Sequence, residues 1–470
     1  MIDVQPGAVL FRDWNERVNA EAYRPNTAVT LPGPEAGERH EVSNFEGLSF
    51  NVGFMLLEWM READPETYRR ILAADASSRA RLGHGNALAQ AYHHTILPLS
   101  PVRDIRTQVR WGMRDFEHRF GQRAEGIWLP ETAADERTID VLIEEGVGFT
   151  ILSPAQARAW AEAGGDWVDV AGEPLDTTVP YRCGHSDGSG RAVTVFLYDG
   201  GISHSIAFDG AAASAEGLLD LFEARVVDGS CHVVHAATDG ETYGHHHKFA
   251  DIGLAYALFV EAERRGLEVL NYAAFLEGCP AERWVQLPAA GTSWSCAHGV
   301  GRWREDCGCS TGGEAGWNQK WRGPLRAALD VVRQAADEVY ERRGRSVLPH
   351  PWRARDRYVD VVAGAVTLED FVARETGTGA DVAHAGRLLE LQRSAMSMFT
   401  SCVWFFNDLA GIETVQVMLY AARTMDLLEE LGEAAPEERF LAILSEARSN
   451  DPDEGTGAEI YKRAVAAARP

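Results

Sequence analysis

Ile105, Val109, Met113, Phe116 and Phe120 recur at three- and four-residue steps along an otherwise polar stretch, which predicts an amphipathic helix from Arg103 to Phe120, stopped at Gly121. Phe50, Phe54, Leu57 and Met60 share the same period and predict a helix over Leu48–Ala63. Between such segments stand short runs that are apolar at almost every position. "EGIW", "VGFTILS", "AVTVFLY", "CHVVHAA" and "LEVLNY" predict strands, and strands apolar throughout are typical of parallel sheets buried on both faces. Asp135 can cap a helix that runs to Glu145 and ends at Gly146; "PAQARAWAEAGG" and the span from His247 to Gly266 predict two more. Strand followed by helix, repeated, points to an α/β barrel or a doubly wound sheet.

The pattern changes near residue 290. Residues 1–290 carry the β/α alternation. Residues 291–322 are rich in Gly, Cys and Trp and read as a long ordered loop. From 323 to 470 only the helical period is found, over 324–343, 380–396, 412–431, 436–448 and 457–468, so this part predicts a helical C-terminal domain. No fixed-period repeat occurs, and no GxGxxG or GxxxxGK[ST] loop follows a strand, which leaves nucleotide binding by those loops unsupported.

Composition narrows the partners. The 470 residues have a formal net charge of −25, a field that disfavours nucleic acid and anionic membrane but does not penalise a neutral substrate. No run of eighteen apolar residues exists, so no membrane-spanning helix is expected. The opening "MIDVQPGAVLFRDW" lacks the basic and apolar regions of a secretion signal, which points to the cytoplasm. Seven cysteines are scattered through a large chain, and reduced thiols are the expectation. No oligomeric state is read from the sequence.

Two acids stand in matching places: Glu131 follows the strand-like "GIWLP", and Asp239 follows "HVVHAAT". The C-terminal ends of barrel strands are where loops converge into active sites. A carboxylate pair suits glycoside hydrolysis with retention, one as nucleophile and one as acid/base, about 5–5.5 Å apart. Solvated loop acids are the competing reading. His245, His246 and His247 follow Asp239 in "ATDGETYGHHH" and raise a third, a metal site of the polysaccharide deacetylase kind; adjacent histidines splay apart, and the four-residue histidine spacing on one helix face is missing. Cys296, His298, Cys307 and Cys309 form C-x-H…C-x-C, not a standard zinc-finger spacing, and read as free thiols.

"EGIWLPETA" resembles the nucleophile motif of glycoside hydrolase family 57, and "ATDGETYGHHH" is similar to that family's acid/base motif, especially in its branching enzymes. "GHGNALAQAYHHTILPL" (83–99) and "MFTSCVWFFNDLAGIETVQ" (398–416) resemble two further blocks of the family, in the same order. The resemblance implies a distorted (β/α)7 TIM-like barrel followed by helices. It also implies retaining hydrolysis or transfer at α-glucosidic bonds of an α-glucan or oligosaccharide, with no metal and no cofactor. Glu131 would be the nucleophile and Asp239 the acid/base; Trp128, Glu241 and His245 would stand beside them at the sugar. The family's first strand, ending in His-x-His-x-x-Gln-Pro, is not found, so the barrel is expected to be incomplete and the alternative of a catalytically impaired glucan-binding protein stays open.

Further sugar contacts are expected from His84, flanked by Gly83 and Gly85, from Asn86, from Trp294 and His298 in the Gly/Cys/Trp loop, and from Trp404 and Asp408 in the helical domain. His93 and His94 read as structural histidines. Arg103, Arg106, Arg110 and Arg114 lie on the polar side of their helix and are expected to pair with surface acids.

Overall fold

The computed structural model describes residues 5–33, 37–227, 229, 231–376 and 381–468. Met1–Val4, part of the opening stretch compared above with the family's first strand, lie outside the described residues. The chain forms two compact units: Met1–Gln90, Arg119–Trp128 and Leu142–Pro288 make the first; Ala91–His118, Leu129–Val141 and Ala289–Pro470 make the second.

The first unit holds an antiparallel hairpin, β1 (Val29–Pro32) and β2 (Arg39–Val42), and a mixed eight-stranded sheet. Its strands are β3 (Ala89–Gln90), β4 (Gly126–Trp128), β5 (Phe149–Leu152), β6 (Ala159–Ala161), β7 (Val168–Asp169), β8 (Tyr181–Gly184), β9 (Ala192–Leu197) and β10 (Arg283–Gln286). They lie in the order β3-β4-β5-β9-β8-β10-β6-β7. The first four are mutually parallel, the arrangement of an incomplete, distorted β/α barrel, and β8 and β9 are antiparallel. All four residues of β5 are buried, as its unbroken apolar sequence requires. Asp199 caps the helix Gly200–Phe208 by accepting from the Ile202 N–H at 2.9 Å. That helix, Ala215–Glu223 and Ala250–Tyr256 share a core of Ile202, Ile206, Leu218, Leu219 and Leu254, each worth about 1.5–3 kcal/mol on burial.

Several elements differ from expectation. "CHVVHAA" is extended but joins no sheet ladder; its backbone bonds run from Val233 N to Thr178 O and from Asp199 N to His235 O, both 2.8 Å. "PAQARAWAEAGG" is a single 3-10 turn, Pro154–Gln156, closed by a Ser153/Gln156 capping box and followed by β6, because pairing with β10 and β7 outweighs local helix propensity. "LEVLNY" is not a strand: Asn271 caps the helix Tyr272–Gly278 instead. The helix expected from Leu48 begins at Phe54, since the Phe50 N–H and C=O are bonded to Asn86 and Leu88. Cys231 and Cys279 are joined by a disulfide with Cα atoms 5.3 Å apart, which corrects the expectation of reduced thiols for this pair.

The second unit is helical. It holds nearly all of Val102–Phe120, together with Arg322–Val347, Pro351–Arg357, Val359–Val362, Leu368–Thr376, Val382–Ser397, Ile412–Glu430, Glu437–Leu444 and Gly457–Ala468. Arg355 is fully buried and donates to Asp104 (2.7 Å), Gln392 (2.8 Å) and Thr107 (2.6 Å). The arginine row on Val102–Phe120 is answered by acids of the following helices rather than by loose surface acids: Arg103 meets Asp337, Arg110 meets Asp356 and Arg114 meets Asp360, each at 2.7 Å. Among the described residues no helix is long and apolar enough to cross a membrane.

Candidate active site

In the second unit, Pro130–Thr132 forms a tight turn directly after β4 in the chain. Glu131 and Thr132 both have positive φ, 60° and 50°. A non-glycine residue held there costs about 1–3 kcal/mol, and such strain gathers at functional sites. What holds the turn is visible. Ala134 and Thr292 exchange two backbone hydrogen bonds of 3.0 Å, and the Trp294 N–H donates to the Glu131 carbonyl at 3.0 Å. The Glu131 side chain is buried, at 9% exposure, and its Oε2 accepts from Trp294 Nε1 at 2.9 Å and Ser295 Oγ at 2.7 Å. Both donors reach one carboxylate oxygen, which fixes the rotation of the group about its own axis.

In the first unit, Asp239 lies on the extended segment that Asp199 and Ser203 hold beside the C-terminal end of β9; Ser203 Oγ accepts from the Ala237 N–H at 3.0 Å. Asp239 is exposed, while Glu241 is half-buried and accepts from Tyr23 Oη at 2.7 Å. Burial, then the Glu241 carboxylate, then Asp239 push the Tyr23 phenol well above the ordinary tyrosine value, so all three groups share one electrostatic neighbourhood. His245 Nδ1 is hydrogen-bonded to Glu21, and its ring stands edge-on to Trp14 at 6.2 Å. The His245 hydrogen bond, aided by Lys248 and opposed by burial, brings the Glu21 carboxyl down to about 2. His247 Nε2 faces the Ala207 carbonyl at 2.8 Å, away from the Glu21 partner of His245, while the His245 and His246 rings stay 5.2 Å apart. Gly244 has φ +128°, and a Cβ there would lie 2.2 Å from the Glu21 carbonyl oxygen. The 239–248 loop is therefore seated on residues 14–26.

The remaining sequence candidates fall into three groups. Trp128 ends β4 half-buried, on the side of the sheet toward which the parallel strands point. His84 and Asn86 stand at the opposite edge: His84 Nδ1 meets Glu125, the residue before β4, at 2.9 Å, and Asn86 accepts from Asn271 at 3.0 Å and donates to the Phe45 carbonyl. Gly85 beside His84 is needed for packing, since a Cβ would come within 2.3 Å of Asp75 Oδ1. The structure thus does not bring His84 and Asn86 together with Trp128. In the second unit, Trp294 touches Glu131. His298 lies beside Cys309. Trp404 is fully enclosed, stacked on Trp321 at 6.1 Å, and Asp408 accepts from Ser449 (2.7 Å) and the Asn450 N–H (2.6 Å).

Sequence reasoning missed Ser295, Glu21 and Tyr23. Ser295 is adjacent to the singled-out Trp294, which was a usable signal. Glu21 and Tyr23 lie in a π-helical stretch, Asn19–Tyr23, whose period no pattern search for 3.6 detects. Among the described residues, one group of His, Cys and acidic side chains has the geometry to hold a metal: Cys296, His298, Cys307 and Cys309. Asp239 and its neighbouring histidines form no such group.

Residues 13–288 match the description "Glycosyl hydrolase family 57". The chain belongs to glycosyl hydrolase family 57. Residues 317–469 match a second description, a domain of unknown function termed DUF3536. Two curated relatives align at 24% identity. They are a 4-alpha-glucanotransferase of Thermococcus litoralis, over 43% of this chain and 28% of its own length, and alpha-amylase 1 of Dictyoglomus thermophilum, over 22% and 14%. The matched stretches therefore span less than a third of either relative. An exo-type maltose-forming amylase from Pyrococcus sp. ST04 superposes with a TM-score of 0.68 at 16% identity, covering 93% of this chain and 74% of that one. The T. litoralis glucanotransferase superposes with a TM-score of 0.53 at 14% identity, covering 89% and 57%. The fold of this family 57 chain is accordingly the barrel-type one with a helical C-terminal region.

Proposed function

We propose that this family 57 chain hydrolyses or transfers α-glucosidic bonds of α-glucans with retention of configuration, Glu131 acting as nucleophile and Asp239 as acid/base. The observation that carries the reading is the Glu131 turn: a buried carboxylate on a strained backbone, its Oε2 held by Trp294 and Ser295. With Oε2 occupied, Oε1 is the oxygen to attack the anomeric carbon. The glycosyl–Oε1 bond forms as the glycosidic bond breaks, and Asp239 gives its proton to the departing oxygen. Asp239 then takes a proton from water or from an acceptor hydroxyl, which displaces Glu131. The exposed position of Asp239 suits a group that exchanges protons with solvent between the two steps. Trp294 and Trp128 offer ring faces to a pyranose, whereas Trp404, being enclosed, is given a packing role.

The test separates the two acids. Wild type should change the chain-length distribution of amylose or maltooligosaccharides, and Glu131→Gln should abolish the change. Asp239→Ala should lose it on unactivated glucans yet keep the first step on α-maltosyl fluoride, whose leaving group needs no proton. Equal activity of wild type and Glu131→Gln would refute the assignment. Glucan binding by wild type with no turnover would favour an impaired binding protein.

A further inference from the structure

We propose that Cys296, His298, Cys307 and Cys309 form a structural zinc site of the Cys3His type in the second unit. The four ligand atoms lie within 4.8 Å of one another, although they come from opposite ends of a loop. Their separations have the right size. Zinc–sulfur bonds of about 2.3 Å and zinc–nitrogen bonds of about 2.05 Å set the corners of a tetrahedron about 3.8 Å apart for two sulfurs and about 3.6 Å for sulfur and nitrogen. Cys296 Sγ and Cys307 Sγ are 3.8 Å apart, and Cys309 Sγ and His298 Nδ1 are 3.5 Å apart. A disulfide between Cys296 and Cys307 would need about 2.05 Å instead. Three thiolates and an imidazole make a closed, soft ligand set, which selects zinc for a structural role.

The loop is built to hold these atoms. Backbone turns close it at both ends, from Gly299 N to Cys296 O (3.1 Å) and from Cys307 N to Glu305 O (3.1 Å). The charges fit as well. Zinc(II) binding three cysteines releases three thiol protons to solvent and leaves a centre of net charge −1. A buried guanidinium stands against the cluster, and a second lies over the Phe405 ring. Arg322, fully buried, donates to the Cys309 carbonyl at 2.9 Å. Arg302, 6% exposed, has Nε and Nη1 buried without hydrogen-bond partners. A centre of net charge −1 beside Arg322 would compensate part of that buried positive charge. The cluster follows immediately on Trp294 and Ser295, the donors to Glu131, so the metal would clamp the arm that orients that carboxylate. Zinc binding itself stands apart from any reading of the reaction.

Full-length protein freed of loose metal on a chelating resin should retain one zinc per chain by plasma mass spectrometry. A thiol-blocking mercurial should release it stoichiometrically to a chelating dye. Replacement by cobalt(II) should give thiolate-to-metal charge-transfer bands and the intense visible bands of a tetrahedral site. Cys307→Ser/Cys309→Ser should lose the metal, whereas Cys231→Ser/Cys279→Ser should keep it. Strong chelation of wild type should open new protease cleavage between residues 297 and 316. Folded wild type holding no zinc, holding another metal in its place, or showing a Cys296–Cys307 disulfide by peptide mapping would overturn the assignment.

Discussion

Gly244→Ala tests how the Asp239 loop is seated. At φ +128° an alanine is strained by about 1–3 kcal/mol whatever space surrounds it. Space is also lacking. The new Cβ would lie 2.2 Å from the Glu21 carbonyl oxygen, 3.2 Å from its carbon and 3.4 Å from Ala22 Cα. All three are backbone atoms, so no side-chain tip can swing aside. Relief requires the 239–248 loop or residues 21–22 to shift by about 1 Å, and overpacking of this kind adds about 1–3 kcal/mol. The total expected loss is about 2–6 kcal/mol. Gly83→Ala is the control: its φ is +79°, but no atom lies within 4 Å of the added Cβ, so only the conformational part remains. Urea unfolding followed by circular dichroism measures both variants, and transfer or hydrolysis of maltooligosaccharides measures the effect on Asp239. Gly244→Ala should fall clearly below Gly83→Ala in stability and should lose activity at temperatures where it is still folded. Equal stability and equal activity of the two variants would refute the packing argument.

Other outcomes follow from the same contacts. Ser295→Ala removes a 2.7 Å hydrogen bond to the Glu131 carboxylate; a bond to a charged acceptor is worth about 1.5–3 kcal/mol, so kcat/KM should fall about 10- to 100-fold with little change in melting temperature. His93, enclosed beside Trp111, has its imidazole pKa brought down to about 3, first by burial and then by Arg393. Its folded value lies below the unfolded one, so the unfolded chain takes up the proton first. Stability from this group is intact above about pH 6.5 and is lost as pH falls toward 3, by at most about 1.4 kcal/mol per pH unit. His93→Asn should flatten that part of the stability–pH curve, and an unchanged slope would contradict the reading.

How much of this was legible in the sequence differs from element to element. The helix Val102–Phe120, the apolar strand "GIW" and the helices Arg322–Val347, Val382–Ser397, Ile412–Glu430, Glu437–Leu444 and Gly457–Ala468 were visible from their apolar patterns, whereas the short helices Pro351–Arg357, Val359–Val362 and Leu368–Thr376 were not predicted. The helix Pro65–Leu82 was not, because its buried face is made of Thr67, Ala74, Asp75 and Ser78 as well as Ile71 and carries little hydrophobic contrast. "CHVVHAA" has strand composition but finds no ladder partner, and no local pattern reports that. Glu131 could be singled out from its motif, whereas its two donors come from a loop more than a hundred and sixty positions later, joined only by tertiary structure. His84 was singled out because flanking glycines suggest close approach of a ligand; in the folded chain Gly85 also makes room for Asp75. The Cys/His loop matches no standard finger by spacing and its three cysteines are free, but only the folded loop brings all four ligand atoms within 4.8 Å of one another.

The central claim is that Glu131 becomes covalently bonded to the sugar. Incubating the protein with 5-fluoro-α-glucosyl fluoride, which forms a slowly hydrolysed glycosyl–enzyme, followed by proteolysis and mass spectrometry, should place one fluoroglucosyl group on the peptide containing Glu131. A label on another carboxylate, or sugar turnover with no labelled peptide, would contradict it.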